Sequence, residues 1–197
     1  MKKKNNTRTV IAFVIFALVI LGAFLMLSNR SEQIAETQQV KVTAVQELLL
    51  RNLKTDYPAT PKEVVKLYSE ITRCYYGEEY TDDELIEMAD MSRELFDDEL
   101  VANQTDEQYL HALQQDIESY KSENKVISSY SVSNSTDVDY YNYLGDEWAQ
   151  LYCVYSIRVA TNITPVKEKY LLRKDAGGHW KIYGWILVDE EQLGSDE

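Results

Sequence analysis

The chain has 197 residues, of which 33 are acidic and 20 basic. Every acidic residue lies beyond residue 30, whereas Lys2, Lys3, Lys4, Arg8 and Arg30 do not, so the rest of the chain sets 33 acidic against 15 basic residues, a net charge of −18. That charge repels nucleic acid and anionic headgroups and argues against a phosphate-binding role, while 15 tyrosines beside only 7 glycines and 3 prolines argue for an ordered core. The plain reading of the acidic surface is solvation, and its alternative is a face for cations or basic partners.

Residues 10–27 are an unbroken apolar run behind the basic cluster. As a helix they would span about 27 Å, close to the ~30 Å hydrocarbon core of a bilayer. The positive-inside rule then predicts a cytoplasmic tail over residues 1–9, a membrane span over 10–28 and everything from Ser31 onward outside the cytoplasm. Phe24, Leu25, Met26 and Leu27 occupy the places where a signal peptidase needs small residues, so the run reads as an uncleaved anchor; the rival reading is cleavage after Ala23. Residues 29–56 are expected to form a juxtamembrane stalk. Within it Val42, Val45, Leu49 and Leu53 fit a helical stripe, the favoured reading, although Val40, Val42 and the Leu48–Leu50 run would also serve a strand.

Pro58 and Pro61 break the chain and open the predicted outer domain, residues 57–189. Thr60 with Glu63, Thr81 with Glu84, and Thr105 with Gln108 each place Thr at an N-cap and Glu or Gln three residues on, the signature of a capping box. Three helices follow. Their apolar stripes are Val64, Leu67, Tyr68, Ile71, Cys74 and Tyr75; then Leu85, Met88, Ala89, Leu95 and Phe96; then Tyr109, Leu113, Ile117 and Tyr120. After Lys125 the period becomes two. A strand is expected over 126–132, a polar connection or ragged edge strand over 133–146, and a long strand over 147–161. In that strand Ala149, Leu151, Cys153, Tyr155, Ile157 and Val159 share one face. Turns at 162–165 and 175–179 lead to two more strands, and an acidic tail over 190–197 closes the chain. Helices followed by a meander predict an α+β domain, with three helices covering one face of a curved antiparallel sheet.

Cys74 lies on the first stripe and Cys153 on the apolar face of the long strand, so the two could meet in the core as a disulfide or remain buried thiols. Asn103, Asn134 and Asn162 begin glycosylation triplets, which matter only in a secretory pathway that uses them.

The closing segment, Lys169 to Trp185, carries Arg173-Lys174-Asp175-Ala176-Gly177-Gly178 followed by Trp180-Lys181-Ile182. It resembles the last two strands of the nuclear-transport-factor-two-like cone fold, as in SnoaL- and cystatin-like cones, and the helices-then-meander order over residues 60–189 is similar too. The resemblance implies the fold and says almost nothing of activity. The whole chain also resembles a family of uncharacterised single-pass proteins from Gram-positive anaerobes, which implies location and fold only. Bitopic domains of this kind resemble envelope assembly factors, including those of conjugation machines and the accessory domain of some penicillin-binding proteins. The expectation drawn is a membrane-anchored extracytoplasmic interaction or binding module with an envelope protein or small ligand as partner. The alternative is a pocket enzyme of the ketosteroid-isomerase kind.

Enzymes on the cone fold place a carboxylate base between sheet and helices. Asp116 beside the third stripe and Glu168 on the penultimate strand are the candidates here, and both read as solvated. His111 falls off the stripe and His179 lies in a turn, so no metal set is expected. No nucleophile triad, phosphate loop or dinucleotide fingerprint is visible, so neither a catalytic residue nor a cofactor is assigned. Trp148, Tyr152, Arg158 and Trp185 are of the types enriched at binding surfaces and form the candidate interaction surface, against the plainer reading that they pack the sheet.

Overall fold

The capping boxes set the helical layer. In the computed structural model, which describes residues 42–188, the hydroxyls of Thr60, Thr81 and Thr105 each accept the backbone N–H three residues on at 3.2 Å, and the Glu63, Glu84 and Gln108 side chains reach back to the cap amides. They open α2 (Pro61–Gly77), α3 (Asp82–Glu94) and α5 (Asp106–Ser122). A fourth box, Thr43 with Gln46, opens α1 (Ala44–Leu49), and Asp97 caps the short α4 (Asp98–Ala102) by accepting the Glu99 N–H. The expected cytoplasmic tail at 1–9, the expected membrane span at 10–28, the start of the expected stalk and the acidic tail at 190–197 lie outside the described residues. Among the described residues no helix is long and apolar enough to cross a membrane.

The folded unit reaches further back than Tyr57. Val45 and Leu48 of α1 are fully buried in the core and Leu53 nearly so. Residues 43–56, expected as a stalk, therefore contribute to the domain's own hydrophobic layer.

The sheet has five antiparallel strands: β1 (Lys125–Val132), β2 (Asp139–Tyr143), β3 (Asp146–Val159), β4 (Asn162–Lys174) and β5 (Trp180–Leu187). Their order is β1-β3-β4-β5, with β2 pairing the first half of β3 while β1 pairs the second. The ragged segment expected over 133–146 is thus an edge strand with a fully exposed face. Leu144 and Gly145 join β2 to β3 with φ of 52° and 96°, the two positive values of a type I′ hairpin. The turn expected at 162–165 lies earlier, at Ala160 and Thr161, and β4 already pairs Asn162 with Val159. Pro165 is tolerated inside β4 because β5 pairs only from Glu168 onward, leaving the missing N–H no ladder partner to lose.

Two bulges curve the sheet. Ser128 is extra in β1 opposite β3, and Tyr183 is extra in β5 opposite β4. On the concave face α2 is the central helix, packing on β1, β3 and β5. Its end comes so close to β1 that a Cβ on Gly77 would lie 2.9 Å from the Ile127 carbonyl oxygen. Leu95 and Phe96, expected in the second helix, fall just past it. There the chain hydrogen-bonds to β5, with Ile182 N–H donating to the Leu95 carbonyl and Asp97 N–H to the Ile182 carbonyl, each at 2.8 Å. That covers part of an otherwise open sheet edge.

Candidate functional site

The helices do not fill the concave face. α5 buries only Ile117 completely and packs mainly on α2 and β1, so it stands away from β3, β4 and β5. A cavity of about 570 Å³ remains between them. Its helical wall is Tyr68, Thr72, Tyr75 and Tyr76 from α2 with Tyr109, Leu113, Asp116 and Tyr120 from α5. Its floor is Tyr155 and Ile157 of β3, Val166, Glu168 and Tyr170 of β4, and Trp185 of β5. Arg93, Phe96, Leu100, Asn103 and Gln104, around α4, close one end.

Glu168 occupies this floor because of strand alternation. Val166, Glu168, Tyr170 and Leu172 share the concave face of β4, and Glu168 pairs with Cys153 across β3. The expected solvated glutamate is instead half-buried. Burial raises its carboxyl above the usual carboxylate range, partly offset by the Tyr170 hydroxyl, which donates to Oε2 at 2.6 Å. Tyr170 has one hydroxyl proton, so the direction of the chain behind it follows. Tyr155 donates to Tyr170 at 2.9 Å, Ser69 to Tyr155 at 2.9 Å, and the Cys153 thiol to Ser69 at 3.3 Å. Four polar groups from α2, β3 and β4 thus line up behind one carboxylate. Burial holds the Tyr155 and Tyr170 phenols above their ordinary value, so the chain stays protonated. Asp116 is exposed, as expected, but lies at the cavity's edge and accepts the Tyr76 hydroxyl.

The four surface candidates do not form one surface. Trp148 is 8% exposed and packed: its indole N–H donates to the Tyr143 carbonyl at 3.2 Å, and its ring meets Tyr183 edge-on at 5.0 Å. Tyr152 is half-buried beneath the Lys167 ammonium, 4.3 Å from the ring centroid, and Arg158 is exposed near the end of β3. Trp185 belongs to the opposite face. Plain alternation from Trp180 and Ile182 would put Gly184 and Ile186 inside, but the bulge at Tyr183 advances the register by one. Trp185 therefore faces the cavity, stacked on Tyr170 at 6.0 Å and tilted against Tyr68 and Phe96. A glycine inside a strand signals such a bulge, and Gly184 was the available clue.

Cys74 and Cys153 are both buried and stand as free thiols in this structure. Each has its own place in the core: Cys153 beside Ser69, Cys74 on the inner stripe of α2, where burial pushes its thiol up to about 11. His111 is exposed. His179 sits in the β4–β5 turn against Tyr57 and Asp175, and among the described residues no group of potential ligands could hold a metal ion.

Away from the cavity, Arg173 forms the other concentrated polar cluster. Its Nη2 and Nε meet the two oxygens of buried Asp97 at 2.6 and 3.0 Å, Nη1 reaches Glu99 at 2.8 Å, and its guanidinium lies over the Trp148 and Tyr183 rings. Hydrogen bonds from Arg173 and Tyr183 hold the Glu99 carboxyl below its usual range. The cluster ties α4, and with it one end of the cavity, to the convex face of the sheet.

No curated protein matches the chain. The family described as a domain of unknown function (DUF6715) matches residues 1–185. That span takes in the apolar run, the capped helices and nearly all of the sheet, and the chain belongs to the DUF6715 family.

Proposed function

We propose that this domain is a binding module for a small ligand, held outside the cytoplasm by the apolar run at residues 10–27. The observation that carries the reading is the cavity of about 570 Å³ between helices and sheet, within the ~300–1,000 Å³ typical of small-molecule sites. Aromatic walls with few polar groups at one depth are what such sites use to bury a ligand and fix its orientation. The helices-then-meander order and the closing hairpin support a cone-like fold, in which the space between helices and sheet is the natural place for a ligand. The anchor supports an envelope location.

Trp185 is the one of the chain's three tryptophans that lines this site, so a Trp148→Phe, Trp180→Phe background makes emission report on it. Titration of the full chain in maltoside micelles with a panel of small apolar and amphiphilic molecules, followed by tryptophan emission, will reveal saturable binders. Val166→Trp, which intrudes on the cavity floor, will weaken that binding, and Tyr152→Ala on the convex face will not. Affinity unchanged in Val166→Trp would move the site elsewhere.

The catalytic alternative has one specific support. Glu168 is a half-buried carboxyl with a raised proton affinity facing the cavity, as a base for proton abstraction requires. Solvent-deuterium exchange into bound carbonyl compounds, lost in Glu168→Gln, is the measurement that would establish it.

A further inference from the structure

The chemistry of the cavity narrows what can occupy it. Tyr68, Phe96, Tyr170 and Trp185 form one mutually packed aromatic group, with centroids 5.3–6.0 Å apart. Tyr76 and Tyr120 form a second pair at 4.4 Å. Each group has a carboxylate beside it, Glu168 on Tyr170 and Asp116 on Tyr76. Asp116, Glu168 and Tyr120 line the same space, where burial first and then the two carboxylates disfavour ionisation of the Tyr120 phenol.

Positive charge to balance them is already committed. Arg93 is the only basic residue lining the cavity among the described residues. Its Nε pairs with Asp106 at 2.7 Å, and its Nη2 donates to the carbonyls of Gln104 at 3.1 Å and Val101 at 3.4 Å. Lys125, outside the lining, lies over the Tyr120 ring at 5.8 Å but pairs with Glu123 at 2.6 Å. An anionic ligand would meet two carboxylates and one guanidinium that is already paired. A bare metal ion would leave the aromatic walls unused. A neutral apolar ligand would cover both carboxylates without compensating them, which is costly in a partly desolvated site.

Building on the ligand-cavity reading above, we infer that the cavity selects an organic cation, a quaternary or alkylated ammonium group. Such a group is weakly hydrated, presents its charge to the electron-rich faces of the rings, and lies within reach of the carboxylates. The net charge of −18 on the segment beyond residue 30 adds a long-range attraction for the same class of ligand.

The test compares choline with its uncharged carbon isostere, 3,3-dimethylbutan-1-ol. Both are titrated by NMR into the full chain in maltoside micelles at neutral pH and moderate salt. Choline is expected to bind about tenfold more tightly, the preference of a desolvated cation–aromatic contact. Glu168→Gln will erase most of that preference. Asp116→Asn, at an exposed position that leaves the core untouched, will reduce it about threefold and serves if the first variant does not fold. Equal affinities, or tighter binding of the alcohol, would overturn the cation inference while leaving the cavity a ligand site. Binding of neither compound would overturn the cation inference; if the wider panel also fails on Trp185 emission, the ligand-cavity reading falls with it. A choline preference unchanged in both variants would place the selecting charge elsewhere and also overturn it.

Discussion

Replacing Arg173 by Ala tests how the closed end of the cavity is held. Asp97 is 3% exposed and accepts three hydrogen bonds, two from Arg173 and one from the Glu99 N–H that begins α4. Removing the guanidinium leaves a buried carboxylate with a single backbone donor. Breaking a fully buried ion pair costs roughly 3–5 kcal/mol. Arg173 itself keeps about a fifth of its side-chain surface in contact with water, which screens part of that cost. The guanidinium also covers the Trp148 and Tyr183 rings at 5.5 and 5.1 Å, contacts worth about 0.5–1 kcal/mol each. The expected loss is about 3 kcal/mol, measured by urea denaturation of the full chain in maltoside micelles at neutral pH. Adding Asp97→Asn to Arg173→Ala should return about 1 kcal/mol, because the stranded charge is then gone. A loss below about 1 kcal/mol, the range of a solvent-screened surface pair, would refute the reasoning. So would a double variant less stable than Arg173→Ala.

Glu168 carries a pH signature whose sign follows from its raised proton affinity. Between its unfolded and folded values the native state binds the proton more tightly, so stability should fall as pH rises through that window, and Glu168→Gln should remove the slope in parallel urea titrations. Gly77→Ala gains about 1 kcal/mol of helix propensity but forces a Cβ within 2.9 Å of the Ile127 carbonyl oxygen. Thermal denaturation should show a net loss of about 1–2 kcal/mol, and a net gain would mean that the end of α2 yields freely. The thiols should react in an all-or-none way: a thiol reagent will find two groups after denaturation without reductant and almost none in the native protein at pH 8, since Cys74 is buried and pushed up to about 11. Rapid native labelling of either cysteine would contradict the described core.

Much of the helical layer was legible because its signals are local. Thr60, Thr81 and Thr105 with their partners three residues on marked three helix starts correctly, and period-two alternation over β3 identified its buried face. The α+β order followed from those elements. What escaped the reading was non-local. Thr43 and Gln46 make the same box as the others, but the helix they open has only six residues, and the positions it turns into the core are Val45 and Leu48, while Val42 and Leu49 of the expected stripe are exposed and half-buried. The side of β5 on which Trp185 lies depends on one extra residue opposite Leu171 and Leu172, which no period within β5 reveals. Glu168 was readable in principle, since it alternates with Tyr170 and Leu172 on the inner face. An acidic residue on an apolar face reads as solvated unless the helices above it leave a space, and that depends on how far α5 stands from the sheet.

The central claim is that the space above Glu168 is a ligand site, and native mass spectrometry of the full chain, isolated gently from the cells that make it, tests it most directly. The account predicts a fraction of the chain carrying one small organic adduct, released on activation in the gas phase and depleted in Val166→Trp, which narrows the cavity. A chain of bare mass in both proteins, or an adduct equally abundant in both, would contradict it.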